Sequence, residues 1–209
     1  GSFDSSDYIL FYATGPKGYN SENNTNINLF EDKTSYFLSI GSENGIRTTD
    51  LIEPSGESVF SIDYYTNYQF HENDDYNLAK IGRRWFGDRF DFENIKSFSF
   101  DFDNLLVEKP VNLKISAAAT SEIVTTMSVE LNGSQLSTLI FGPIGDPILA
   151  TGDNYSSNID LNSSTANLVL TYNNNGNPAS SAYLDYISVE ASSSLNFSDG
   201  RQLTFYNND

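Results

Sequence analysis

The sequence predicts a mainly β protein, an antiparallel β-sandwich of jelly-roll type with an N-terminal strand-rich extension and one short helix. Three observations support this fold class. From residue 95 onward, apolar residues recur with a period of two. Turn signals rich in Asn and Gly separate these segments. Helical periodicity is confined to one short stretch, so strands must form most of the core.

The second part of the chain gives the strongest strand predictions. In residues 97–103 the side chains of Phe98, Phe100 and Phe102 share one face, and serines and aspartates occupy the other. Such one-sided strands are expected when a sheet covers a core with one face only. Asn132–Gly133 follows one of these segments as a hairpin signal. We predict strands at 97–103, 111–117, 127–131, 166–172 and 182–191, and a terminal hairpin at 195–206.

The first part of the chain contains shorter strand-like segments, at 8–13, 35–40 and 58–62. Residues 72–81 are predicted to form the one helix, because Asp74 can cap it and Gly82 follows where a terminal glycine would lie. We therefore expect an N-terminal β-rich segment, 1–94, followed by a jelly-roll-like sandwich, 95–209, with a single joint unit as the alternative. Asn- and Ser-rich loops are predicted at 153–165 and 173–181.

Composition excludes several classes of function. The chain has 209 residues, a net charge of −17, no cysteine and one histidine. Nucleic acids and anionic membrane surfaces are bound by basic patches, so neither is an expected partner. Without cysteine there are no disulfides, thiolate metal sites or cysteine nucleophiles in this chain. No apolar run reaches the length of a membrane span, so membrane insertion is not expected.

One stretch, residues 70–90, concentrates the unusual chemistry, because it contains the single histidine and the single tryptophan. A serine triad would need His71 as its base, and the chain has no Gly-x-Ser-x-Gly elbow. We therefore predict no catalytic residues and interpret the stretch as a structural clasp, with an arginine paired to Glu72 or Asp88 and two buried aromatic rings. The predicted clasp residues are His71, Glu72, Asp74, Arg83, Arg84, Trp85, Phe86 and Asp88.

No cofactor is expected, and calcium is the one metal for which the chain offers many ligands. Oxygen side chains cluster at 72–75, at Asp101 and Asp103, and at 145–154, although none of these has the spacing of an EF-hand loop. Carboxylate pairs for glycoside hydrolysis carry little weight as evidence, because a chain with 28 acidic residues always contains some.

Two motifs resemble segments of the type IX secretion system sortases, PorU-like surface cysteine peptidases of the gingipain family. The first is "SSDYILFYATGP" (5–16), followed by "YFLSIGSENGIR" (36–47); the second is "QFHENDDYNLAKIGRRWFGDRF" (69–90). The β segments at 97–133 and 181–207 fit the region that precedes the peptidase domain in the family. The likeness runs along nearly the whole chain, in family order.

Three positions depart from the family pattern: Ile81 replaces a serine, Arg84 an acid and Asp88 a glutamate. The catalytic cysteine and histidine of the family match nothing in this chain. The resemblance implies a parent protein that removes C-terminal sorting domains from cargo and attaches the product to surface lipopolysaccharide. This chain would be a fragment of that parent, without catalysis of its own.

We therefore expect a noncatalytic accessory or interaction domain of a gingipain-family cysteine peptidase or transpeptidase, exported to the outer-membrane surface or the periplasm. Its expected partners are the peptidase domain of the same polypeptide and, through the parent, secretion-system proteins and cargo. The alternative is a stand-alone jelly-roll module on the cell surface that binds a glycan or calcium.

Overall fold

A computed structural model describes residues 61–80 and 82–196 and, ahead of them, residues 8, 11, 13, 15–16, 26–28, 31, 33–39, 41–43, 52 and 55–56. The chain divides into two compact units, Gly1–Val59 and Phe60–Asp209. No helix among the described residues is long and apolar enough to cross a membrane.

Nine strands form the described part of the second unit, and every pairing between them is antiparallel. One sheet has the order β1-β9-β4-β7, with β2 also paired to β9, and the other has the order β3-β8-β5-β6. The strands are β1 Tyr64–Glu72, β2 Gly87–Phe90, β3 Ile95–Asp101, β4 Val111–Thr120, β5 Thr125–Leu131, β6 Ser134–Phe141, β7 Thr151–Ile159, β8 Thr165–Asn173 and β9 Ser181–Ser194.

This topology confirms the predicted fold class. Apart from the short β2, eight strands form two four-stranded sheets, and the chain crosses repeatedly from one sheet to the other. That arrangement is the jelly roll. The division near residue 94 stays a prediction; within the second unit, strands from both sides of that position share one sheet.

The core lies between the two sheets and is built by the predicted period-two faces. In β4, Val111, Leu113 and Ile115 are buried, and their polar neighbours lie on the other face. Asn132 and Gly133 have φ angles of 49° and 80° and close the β5–β6 hairpin. Two consecutive residues with positive φ define the type I′ turn that Asn-Gly favours. The largest fully buried side chains include Tyr172, Phe90, Phe102, Phe141, Met127, Leu139, Leu161, Leu168, Leu170 and Leu184.

The predicted helix at 72–81 is wrong for the residues of that range that the structure describes. Tyr76 pairs with Phe86 instead: its backbone N–H donates to Phe86 O at 2.7 Å, and the Phe86 N–H donates back at 2.8 Å. A turn separates the two, with φ angles of 55° at Lys80 and 78° at Gly82. Pairing between these two segments of the chain therefore satisfies backbone groups that a helix would have bonded locally.

The predicted loop at 153–165 is also wrong over its first half, because β7 occupies Thr151–Ile159. Residues alternate between half-buried and exposed along it, and Tyr155 packs against the core. Pairing with β4 makes this polar segment a strand, since the backbone ladder does not require apolar side chains on the outer face.

Other predictions fall at the ends of the described region. The predicted strands at 8–13 and 58–62 and the terminal hairpin at 195–206 lie mostly outside the described residues. Residues 35–39 are described and form no strand; Phe37 is exposed there. An alternating pattern produces a strand only where a neighbouring strand accepts its hydrogen bonds.

Candidate functional site

The clasp segment, which we define as residues 71–88, runs from the end of β1 to the start of β2. Both strands bond the same edge of β9: β1 pairs with its second half and β2 with its first. The segment therefore leaves the sheet and returns to it next to its point of departure.

An apolar contact holds the segment against the outer face of its sheet. Phe86 is 4% exposed and packs with Ala118 of β4 and Tyr183 of β9, and Leu78 completes the cluster. The ring of Tyr76 lies 5.2 Å from that of Tyr183. This small second core lies on the opposite side of the sheet from the main one, and its burial stabilises the segment by the hydrophobic effect.

A polar contact lies beside it. Arg84 Nη2 is 3.0 Å from Asp185 Oδ2 and 3.3 Å from Ser116 Oγ, and the Ser116 hydroxyl donates to the same carboxylate oxygen at 3.0 Å. The Arg84 guanidinium also lies 5.1 Å from the centre of the Phe86 ring. The Arg84 side chain is 61% exposed, so the pair itself contributes little to stability.

The other end of the segment makes a separate contact at the edge of the sandwich. His71 Nε2 lies 2.5 Å from Asp88 Oδ2, and Asn73 Nδ2 approaches the same oxygen at 3.4 Å. The imidazole ring also packs 4.7 Å from the ring of Phe98, across the gap to the other sheet. A carboxylate bonded to imidazole in this way orients the ring.

Both carboxylates that make these contacts lie at irregularities of the strand ladder. Asp88 falls between Gly87 and Arg89, where the register of β2 against β9 shifts, and has a φ of 25°. Asp185 lies at the corresponding shift in the pairing of β9 with β4. A bulge turns a side chain out of its normal alternation, and here it directs a carboxylate toward the clasp segment.

Gly87 is required by close approach. A Cβ atom at this position would lie 2.6 Å from the carbonyl oxygen of Asn73 and 2.5 Å from its Cβ. Only glycine lets the two arms of the clasp segment come this close without a backbone shift.

The carboxyls of the segment differ in their pKa. The hydrogen bond from His71 lowers the pKa of Asp88 below its ordinary value, against the effect of burial. Burial, together with Glu72, Asp185 and Asp75, raises the pKa of Asp74 to about 6. Burial also raises the pKa of Asp185, and the neighbouring Arg84 opposes that rise. Asp74 Oδ2 is buried and has no hydrogen-bond partner among the described residues.

The predicted site residues thus divide between two contacts. Phe86 and Arg84 lie on the outer face, while His71 and Asp88 lie at the sandwich edge. The predicted arginine partners were Glu72 or Asp88, but Arg84 pairs with Asp185. Trp85 was expected to be buried and is 38% exposed. The remaining three residues lie near these contacts: Glu72 is half-buried at the end of β1, Asp74 is half-buried, and Arg83 is exposed.

Sequence reasoning missed Asp185 and Ser116. A signal for Asp185 exists: buried Leu184 and Ile187 are three residues apart, which breaks the period of two and indicates a bulge between them. Ser116 gives no such signal, because a serine on the outer face of a strand is common.

The contacts of His71 define what the edge can do chemically. A groove of about 610 Å³ separates β1 from β3, lined among others by His71, Asp88 and Lys96. Among the described residues, no hydroxyl group forms a hydrogen bond with the imidazole. The described part of the chain also contains no group of three His, Cys, Asp or Glu side chains that could hold a metal ion.

A second depression, of about 730 Å³, lies on the outer face of the sheet β3-β8-β5-β6. Hydroxyl and amide side chains dominate its lining, in contrast to the ion pairs of the clasp segment. Its lining residues are Asp91, Asn94, Thr126, Ser128, Gln135, Thr138, Thr171, Tyr172, Asn173 and Asn174.

Comparison with known proteins finds likeness in structure. No family model and no curated protein matches the chain. Latent, dimeric PorU from Porphyromonas gingivalis superposes with a TM-score of 0.54 and 20% identity over 65% of this chain. The matched region is 13% of the PorU chain, so the two proteins share this fold over a small part of PorU.

Two carbohydrate-binding modules are less similar. The CBM36-1 domain of a multidomain xylanase from the hindgut metagenome of Trinervitermes trinervoides has a TM-score of 0.39 and 12% identity, over 59% of this chain and 96% of its own. A CBM36 module solved with calcium and xylotriose has a TM-score of 0.37 and 16% identity, over 61% and 99%. Both are β-sandwiches, and likeness at this level carries no conclusion about ligands.

Proposed function

We propose that this chain is a noncatalytic accessory domain of a surface-exposed, sortase-like cysteine peptidase that processes the C-terminal sorting domains of secreted cargo. The observation that carries the proposal is the fold shared with PorU over 65% of the chain. The sequence motifs at 5–16 and 69–90, which resemble the same family, support it independently.

The clasp segment gives the motif at 69–90 a structural role that requires no catalytic residue. It contains most of the residues of the motif, and its contacts are an apolar cluster and two carboxylate pairs. Such contacts fix the shape of one face of a domain. We propose that this face helps the domain pack against the peptidase domain of the same polypeptide.

The catalytic groups of the parent would lie outside this chain, which contains no cysteine. Secretion-system proteins and cargo would be reached through the parent, at the outer-membrane surface or in the periplasm. In this proposal the domain positions the enzyme and contributes no group to the reaction.

The coding sequence on either side of this segment tests the proposal. We expect a peptidase domain with a catalytic cysteine and histidine to follow it in the same frame. Calorimetric titration of that domain with this one should then show binding that depends on the clasp segment. A stop codon soon after Asp209 would overturn the accessory role.

The second depression favours a second candidate, a stand-alone jelly-roll module that binds a glycan. Its lining offers hydrogen-bond donors and acceptors and little charge. Calcium stays a prediction from the sequence. Isothermal titration with neutral oligosaccharides, and separately with calcium after chelator treatment, tests this candidate: binding supports it, and the absence of binding to either removes it.

A further inference from the structure

The outer face of the sheet β3-β8-β5-β6 carries hydroxyl groups in two adjacent rows. Ser128 of β5 lies directly between Thr138 of β6 and Thr171 of β8. In the next row, Thr126 lies opposite Asn173. Directly opposed side chains on one face of a sheet are about 5 Å apart, so these groups form a continuous hydrogen-bonding surface.

Several of these groups retain free hydrogen-bonding capacity. The hydroxyls of Thr126, Ser128 and Thr171 form no hydrogen bond with any described residue. On the outer face of the other sheet, by comparison, the Asn112 amide donates to Asn158 Oδ1 at 3.0 Å. A polar outer face is ordinary in a β-sandwich; in this depression three hydroxyls on adjacent strands remain available to a ligand.

The loop between β2 and β3 forms one wall of the depression. Asp91 and Asn94 line it, and Asn94 is fixed by donating to the backbone oxygen of Tyr172 at 3.0 Å. Asp91 is paired with Arg89 at 3.0 Å, so the one carboxylate in the lining is already neutralised. The lining contains no lysine or arginine.

Phe92 follows the lining residue Asp91 in this loop, and its side chain is fully exposed, at 103% of the reference area. Its backbone N–H donates to Asp91 Oδ1 at 2.6 Å. Leaving a phenylalanine ring in water forgoes a large apolar gain. An exposed ring in the loop that borders a hydroxyl-lined depression offers an apolar surface to a ligand seated there.

The chemistry of the ligand follows from these groups. A surface without lysine or arginine, in a chain of net charge −17, disfavours phosphates, sulfates and carboxylates. Hydroxyls and amides that both donate and accept match a polyol, and an exposed ring matches the apolar face of a sugar ring. The volume of about 730 Å³ falls within the range of small-molecule sites.

We propose that this depression, with Phe92 at its rim, binds a neutral oligosaccharide. The proposal goes beyond the accessory role and rests on the glycan-binding candidate, which it provides with a location. The occupant is a short chain of uncharged sugars laid across β6, β5 and β8, with its hydroxyls on Thr138, Ser128 and Thr171.

Amide NMR spectra recorded during titration with cellotriose, xylotriose, maltotriose and chitotriose test the location. We expect at least one probe to shift the amide signals of Ser128, Thr171 and Asn173 at millimolar concentration, and a heparin tetrasaccharide to shift none. Phe92→Ala should weaken binding about fivefold, the effect of losing an aromatic contact. The double change Ser128→Ala and Thr171→Val should weaken it about tenfold.

Two controls separate the site from general effects. Tyr64→Ala removes an exposed aromatic ring at the far end of the other sheet, and Ser156→Ala removes an exposed hydroxyl from β7; both should leave affinity unchanged. Shifts that cluster elsewhere would overturn this location while leaving the glycan-binding candidate in place. No shift with any neutral probe would overturn the proposal itself, and the accessory role is tested separately by the adjoining coding sequence.

Discussion

The two contacts of the clasp segment are held by different forces. On the outer face, Phe86 is buried against Ala118 and Tyr183. In the neighbouring ion pair, Arg84 is 61% exposed and Asp185 is mostly buried. At the edge, His71 and Asp88 make a polar contact, and the imidazole also packs against the ring of Phe98. The difference indicates that the hydrophobic contact provides most of the stability and the ion pairs mainly set geometry.

The pKa values of two aspartates in the clasp segment sharpen the comparison, because they shift in opposite directions. Asp88 has a hydrogen-bond donor in His71, and its pKa falls. Asp74 is partly buried near other acids, and its pKa rises to about 6. Burial disfavours the charged form of both carboxyls, and a hydrogen-bond donor such as His71 decides whether the net change in pKa is downward.

The largest expected effect comes from removing the hydrophobic contact. Phe86→Ala should lower the free energy of unfolding by about 3 kcal/mol, because a buried ring is replaced by a cavity. Trp85→Ala, the matched change at the exposed neighbour, should cost less than about 1 kcal/mol. Urea denaturation of both variants measures the difference. Equal losses would contradict the division between buried and exposed rings.

The next largest effect is expected where Gly87 lies close to Asn73, at the two ends of the clasp segment. Gly87→Ala should destabilise the fold by about 2 kcal/mol, because the new methyl group would overlap Asn73. Gly145→Ala is the matched control, since a Cβ there meets nothing within 4 Å. Thermal unfolding of the two variants decides the matter, and an unchanged Tm for Gly87→Ala would show that the arms separate freely.

The hydrogen bond between His71 and Asp88 should stabilise the fold less in acid. Because the folded pKa of Asp88 is lowered, its stabilisation is complete above the ordinary value of 3.8 and is lost as pH falls through the folded pKa. Asp88→Asn should therefore cost about 1.5 kcal/mol at neutral pH and nothing in strong acid, a figure reduced for partial exposure. Denaturation across pH measures this, with Asp160→Asn as an exposed control. A constant cost at every pH would exclude the charged hydrogen bond as its source.

The contribution of Asp74 to stability should change with pH in the opposite direction, and it is the smallest of the expected effects. Because its pKa is raised, the contribution of Asp74 to stability is greatest below pH 3.8 and declines as pH rises to about 6. Asp74→Asn should remove that decline and gain about 1 kcal/mol at neutral pH, after allowance for solvent screening. The same denaturation series tests it. A loss of stability at neutral pH would show instead that the ionised carboxylate has a favourable partner.

Sequence reasoning succeeded where the local pattern and the fold agree. Phe98, Phe100 and Phe102 alternate with polar residues, and that face packs on the core. It failed where long-range pairing overrides the pattern. The polar β7 became a strand by pairing with β4. Asp75 and Tyr76 bonded across to Phe86, although the spacing of their segment favoured a helix. The strands β1, β2 and β6 were likewise not predicted, since none has a clean alternation.

The sequence by itself determined the jelly-roll class, the main core strands and the Asn132–Gly133 hairpin, because these depend on period, turn chemistry and residue type. Only the tertiary structure decided the partners within the clasp segment. Asp185 lies 101 residues from Arg84 in the chain, and a bulge in β9 directs its carboxylate to that contact. The row of hydroxyls beside Phe92 also exists only after three strands align, since register across a sheet is a property of the whole fold.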